Sequence, residues 1–342
     1  MKSFPILGKC LTLASSLLLL GHSHLAAAQD KITWTMVSPL TPAIAYMPLY
    51  QQLADNITER SQGRLTVNFL SFGQHPFKGP DILTAVRDGV VQIGNSADVY
   101  VSSLEPAVAF MGLPFLFDNL EQAKTTFNAL KEPYYQPIFA DKYQSELLTS
   151  FVISGSAIHA KKPLDNSDAL KGQKIRVFGK ESGDMIRLLG GEPATVAFGE
   201  LYTALQRGTI DGALTGMDGA NAARVYEVVD NNTWWNWSYP VEFTFVNRQA
   251  LAALPEDLQT IVREEAASIN AELQANRDLG TMRLLIKAIE QDGITVTGLS
   301  AANLADFRTR TQPILDEWQG KTGALGEQAF AIYHQLHDSA AQ

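Results

Sequence analysis

Between Pro255 and Gly293 the chain keeps apolar residues at helical spacing: Leu258, Ile261, Val262, Ile269, Leu273, Leu279, Met282, Leu285, Ile286 and Ile289. Pro255 suits a first helical position, Glu256 and Asp257 favour the positive helix end, and Gly293 suits the exit. An unbroken helix there is three times the usual length of about 11–12 residues. Such a helix outruns any one compact domain. A coiled-coil segment, or two helices broken near Gly280, would carry the same pattern. The preferred reading is a helix that crosses between two domains and braces both.

The rest of the chain alternates strand and helix signals, which favours an α/β fold with parallel or mixed sheets. Strands are expected at 32–37, 65–69, 90–93, 147–153 and 174–178, and helices at 46–61, 81–89 and 200–208. The first 28 residues read differently. Lys2 and Lys9 precede the apolar run 11–20 (LTLASSLLLL), and Ala26, Ala27 and Ala28 supply small residues for cleavage before Gln29. The apolar run is shorter than the roughly 20 residues of a membrane span. Export to a bacterial periplasm is the expectation, with a mature chain that is not itself membrane-embedded.

The whole sequence carries a formal net charge of −9, and removing the leader takes away two lysines and no acids, leaving −11. That charge disfavours nucleic acid as a partner. The single cysteine, Cys10, lies in the leader, so the remainder has no thiol for a disulfide, a nucleophile or a thiolate metal site. Four histidines follow the leader, His75, His159, His334 and His337, without the H-E-x-x-H spacing of a zinc site. Phosphate-cradling glycine motifs are absent, and in Gly179-Lys180-Glu181-Ser182-Gly183 the serine stands one position late for a nucleophile elbow. The expectation is a protein that is not an enzyme, without cofactor or metal. A secreted hydrolase working through two carboxylates is the least favoured alternative.

Several segments resemble the solute-binding subunit of TRAP (tripartite ATP-independent periplasmic) transporters, the DctP-like family. Leu170-Lys171-Gly172-Gln173-Lys174-Ile175-Arg176-Val177 is similar to the family's L-K-G-x-K-I-R-V strand. The block from Phe198 through Glu200, Tyr202, Ala204, Leu205, Gln206 and Gly208 to Asp211-Gly212 is similar to its F-x-E-x-Y-x-A-L-Q-x-G-x-x-D-G motif. The stretch 83–94, the run Leu113-Pro114-Phe115-Leu116-Phe117 and Ala253-Leu254-Pro255 match in order and spacing. The likeness covers about residues 30–325.

The resemblance implies a two-lobed periplasmic binding protein fold with mixed sheets, crossing strands and one long helix spanning both lobes. Lobe I would comprise 29–153 with about 243–280, and lobe II about 154–242 with 281–330. Residues 331–342 would form a C-terminal tail. A hinge would lie near residue 153, at 215–220 and at 239–245. The implied ligand is a small-molecule organic acid, and the implied partners are the small and large TRAP membrane subunits.

By the same resemblance, Arg176 grips the ligand carboxylate, the bidentate task that guanidinium geometry suits. Thr215 stands where many members carry an asparagine, and the stretch before Lys161 lacks their second basic residue. One carboxylate rather than two is the expected anionic group. Trp234, Trp235 and Trp237 form a possible aromatic wall or ordinary core. Phe72, His75, Tyr100 and Phe198 are further candidates from loops that should face the cleft. An aromatic or apolar monocarboxylate is favoured over a sugar acid or small oxo-acid. A ligand-presenting sensor module is the alternative to transport.

Overall fold

The computed structural model describes residues 31–153 and 155–337, the side chains of 276–278 apart. The expected leader and its cleavage point before Gln29 lie outside the described residues, as do Ser154 and the last five residues. Among the described residues no helix is long and apolar enough to cross a membrane.

Eleven described strands form two mixed sheets. The first has the order β2-β1-β3-β10-β4: β1 (Ile32–Val37) lies parallel to β2 (Leu65–Leu70) and β3 (Ile93–Ala97). Strand β10 (Val241–Asn247) enters antiparallel between β3 and β4 (Ser145–Val152). The second has the order β11-β9-β5-β8-β6-β7. It contains β5 (Ala157–Ala160), β6 (Lys174–Val177), β7 (Glu192–Thr195), β8 (Gly212–Thr215), β9 (Asn231–Trp234) and β11 (Thr295–Gly298).

The chain leaves the first sheet after β4 and returns to it at β10, so the segments after residue 152 and before residue 241 carry it across. They run side by side, the Ile153 amide donating to the Pro240 carbonyl at 2.6 Å. Strand β10 therefore does not itself cross; every residue of it is buried within the first sheet.

The long helix is continuous from Glu256 to Glu290, 35 residues. Gly280 does not break it, and a helical glycine there costs only about 1 kcal/mol relative to alanine. Leu258, Val262, Ala266, Ile269 and Leu273 pack into the cluster that holds Trp34, Leu53 and Leu65 of the first sheet's layer. Ala288, with Leu284 and Leu285 beside it, packs against Leu201, Leu205 and Ala213 of the second. One rod is thus anchored in both layers. Four residues of the expected apolar stripe, Leu279, Met282, Ile286 and Ile289, face solvent instead.

Other local expectations shift for identifiable reasons. Val90 is exposed, and the strand begins at Ile93, with the sequence IGNSA. Its polar residues are buried because Asn95 bonds Ser38 and the Phe243 carbonyl across the sheet. The C-terminal boundary also differs from expectation. The helix Ala301–Thr322 places Phe307 and Ile314 in the second sheet's core but Trp318 in the first sheet's core. The helix Ala324–His337 then packs Ala329, Phe330 and Tyr333 on that same first core. Residues 331–337, expected as a tail, are the last turns of a helix with an apolar face to bury.

His159 on β5 is fully buried, and burial pushes its pKa down to about 4 despite a hydrogen bond to the Thr215 carbonyl at 3.2 Å. A carbonyl only accepts, so Nε2 carries the hydrogen and the ring is neutral in the fold. The unfolded chain takes up a proton near pH 6.5 and the folded one near 4. Stability therefore falls as pH drops through that window, by up to about 3 kcal/mol from this group. Denaturant unfolding of wild type and His159→Asn should converge between pH 6.5 and 4; a constant difference would contradict a neutral buried ring.

Candidate functional site

Arg176 lies on β6, in register with Ala194 of β7 and Ala213 of β8. A four-residue strand held between two parallel neighbours fixes the root of the side chain. Its tip is fixed too: Nε donates to the Val196 carbonyl at 3.2 Å and Nη1 to the Leu214 carbonyl at 3.1 Å. Those two bonds leave three of the five N–H groups of a guanidinium for other acceptors. The residue is only 4% exposed and forms no ion pair among the described residues. Burial lowers its pKa, and the neighbouring Tyr100 hydroxyl opposes that effect. Arginine keeps its charge in such surroundings where lysine would lose it.

Arg176 opens onto a cavity of about 860 Å³, its mouth included. From the first sheet's side the wall comprises residues 39–41, Ile44, Tyr46, Phe72, Ala97, Val99 and Tyr100. Ile153, Ser156 and Pro240 of the crossing segments form its back, with Glu242 beside them at the start of β10. The second sheet's side contributes Arg176, Phe178, Phe198, Thr215, Gly216, Asp218 and Gly219. The wall is mostly apolar with few polar groups, the usual composition of a small-molecule site. The turn after β3 puts Tyr100 in place. Gly79 allows this, because a Cβ there would stand 2.6 Å from the Tyr100 Cβ. Gly219 does the same for Thr215, whose Oγ1 would lie 2.3 Å from an added Cβ.

Of the residues singled out in the sequence, Arg176, Thr215, Phe198, Phe72 and Tyr100 meet at this cavity. Phe72 stands at its edge, 53% exposed. His75 is not on the wall; its Nε2 lies 2.7 Å from the Ser38 carbonyl and its ring stacks on Phe77. The tryptophans are not on the wall either. Trp235 donates Nε1–H to the Leu164 carbonyl at 2.9 Å and packs edge-on to Phe307. Trp237 is buried in the same core behind Phe178, ring centroids 5.9 Å apart. Trp234 packs against the cluster of Leu201 and Ala213. Segment 235–240 is a crossing connection, and its large rings fill the layer beneath the cleft.

Phe178 supplies the wall that the tryptophans do not. It stands two residues beyond Arg176 on the same strand line, and the guanidinium lies 5.7 Å from its ring centroid. That i, i+2 spacing was readable in the sequence. Glu242 was readable too, as an acid inside the apolar run 241–246. Burial pushes the Tyr100 hydroxyl above its ordinary pKa, with Arg176 opposing and Glu242 adding to the shift.

Two mixed sheets joined by paired crossing segments and a shared cleft define a two-lobed periplasmic binding protein fold. Residues 38–321 match the bacterial extracellular solute-binding proteins, family 7 (DctP), and the chain belongs to that family, the TRAP solute-binding proteins. The uncharacterized protein y4mM of Sinorhizobium fredii is 25% identical over 279 residues, covering 77% of this chain and 49% of that protein. This chain thus spans about half the length of that relative. Among solved structures, DctP7 of Bordetella pertussis, an extracytoplasmic solute receptor binding pyroglutamic acid, has a TM-score of 0.80 at 23% identity. It covers 88% of this chain, and 99% of that chain is matched. A TRAP periplasmic solute-binding protein from Desulfovibrio salexigens with bound orotic acid has a TM-score of 0.77 at 22% identity, covering 89% and 98%. At these identities the structures establish the fold.

Phe178→Ala should weaken ligand binding by about 1–3 kcal/mol through lost ring area. Trp235→Phe should leave affinity within about twofold while lowering stability by roughly 1 kcal/mol for the lost hydrogen bond. Calorimetry and chemical denaturation on both variants check this; a Trp235 variant that loses binding at unchanged stability would reverse the assignment.

Proposed function

We propose that this protein captures an organic acid in the cleft between its two lobes and delivers it to the small and large membrane subunits of a TRAP permease. Residues 1–28 act as the export signal, cleaved before Gln29, and the mature protein works in the periplasm by binding rather than turnover. Lobe I is assembled around the first sheet and lobe II around the second. The observation that carries the reading is Arg176, a buried guanidinium on the cavity wall with no acidic partner among the described residues.

A buried charge without a counterion is costly, and a ligand carboxylate relieves that cost through a bidentate pair. Thr215 and Tyr100 stand beside it as hydroxyl partners. Phe72, Phe178 and Phe198 offer faces for an apolar or planar body, which favours an aromatic or apolar monocarboxylate. The pyroglutamic acid and orotic acid held by relatives of the same fold are in keeping with a carboxylate ligand.

A thermal-shift screen against carboxylic acids should find compounds that raise the melting point, because they bind only folded protein. With the best of them, Arg176→Ala should cost about 2–5 kcal/mol of affinity by calorimetry. Arg176→Lys, which keeps charge but not the fork, should recover only part of it. Unchanged affinity in a folded Arg176→Ala variant would sink the proposed contact.

A further inference from the structure

The two sides of the cleft also meet outside the cavity. Ser102 follows the short helix Asp98–Val101 on the first sheet's side. Its hydroxyl donates at 3.0 Å to Oε2 of Glu181, in the first turn of the helix Lys180–Leu188 on the second sheet's side. Beside that bond the Gly179 backbone lies so close to the Val99 carbonyl that an added Cβ would stand 3.2 Å from it. Val99, Tyr100, Arg176 and Phe178 line the cavity, but Ser102, Gly179 and Glu181 do not. The other cross-cleft neighbours, Tyr100 beside Arg176 and Phe198 against the first sheet's cluster, are on the wall itself.

The chemistry of this contact suits one that is made and broken. Ser102 is 3% exposed, so its hydroxyl is shielded from water while the contact lasts. Its single hydrogen has two acceptors within reach, Glu181 across the cleft and the Val99 carbonyl of its own turn at 3.3 Å. When the sides part, the hydrogen falls back on Val99 and the half-buried Glu181 side chain turns to water, so neither group is left stranded. Gly179 is extended (φ −160°, ψ 177°), a conformation open to any residue. Its missing side chain therefore serves the approach of Val99 and not its own backbone.

We propose that residues 99–102 and 179–181 form a latch that holds the cleft closed, with Ser102, Gly179 and Glu181 setting affinity without touching the guest. This rests on the reading of the cleft as a ligand site between two lobes; closure belongs to that reading, and the latch is what is added. A guest held by the closed form binds with an apparent affinity scaled by the population of that form. The latch thus changes affinity by one factor for every guest, whereas a wall residue such as Phe178 changes it guest by guest. The effect falls on release, since the bond exists only once the two sides have met.

The test is calorimetry and stopped-flow release on the whole mature protein. The probes are two acids of unlike body, pyroglutamic and orotic acid, or the two tightest hits of the carboxylic-acid screen. Ser102→Ala and Glu181→Ala should each weaken both acids by the same factor, about three- to tenfold, through faster release. The double variant should lose no more than either single one, because the same bond is removed in all three. Glu181→Gln, which keeps an acceptor, should stay near wild type, and Gly179→Ala should weaken both acids as Ser102→Ala does. The melting point of the ligand-free protein should stay near that of wild type in every variant, which separates a latch from a bond that merely supports the fold. Unchanged affinity throughout, or factors that differ between the two acids, would overturn the latch while leaving the Arg176 contact standing. A wild-type protein that takes up no acid in the screen would overturn both.

Discussion

A guanidinium removed from water and held by two backbone carbonyls is the constraint on which the rest of this structure depends. The carbonyls of Val196 and Leu214 belong to segments that follow β7 and end β8, so Arg176 is gripped from both flanks of its own strand. Partial negative charge from carbonyl dipoles softens the cost of burial but does not neutralise a full positive charge. The side chain is therefore fixed and buried, with no ion pair among the described residues.

The surrounding architecture holds that residue in place. Two sheets of mixed direction contribute opposite walls, and the paired segments around Ile153 and Pro240 close the back of the cleft. The helices Glu256–Glu290 and Ala301–Thr322 each bury side chains in the layers of both sheets. The layers are thus connected by more than the two short crossings.

Much of this was legible in the sequence where one physical rule dominated. The long helix announced itself because its spacing, its acidic start and its glycine exit agree, and Arg176 because the motif around it fixes its place on a strand. The aromatic wall was misplaced because three tryptophans in one stretch say only that large rings are buried, not on which side. Trp235 and Trp237 point into the core, whereas Phe178, a lone ring two residues past Arg176, faces the cleft. The strand Ile93–Ala97 was displaced for a related reason: its buried polar residues are satisfied by β10, nearly 150 positions away in the chain, and no local propensity reports that. Helix Ala324–His337 likewise docks on residues such as Phe110 and Phe117, a long-range match invisible in its own sequence.

The stacking of Trp237 behind Phe178 has an optical consequence. Its indole nitrogen is buried without a hydrogen-bond partner among the described residues, one ring removed from the guanidinium. The excited-state dipole of an indole responds to the local field, and water is excluded from this one. Under the proposed function, an anion paired with Arg176 would change that field one ring away from the indole. On that reading, Trp237 is a fluorophore placed to report occupancy from behind the wall, without touching what is bound.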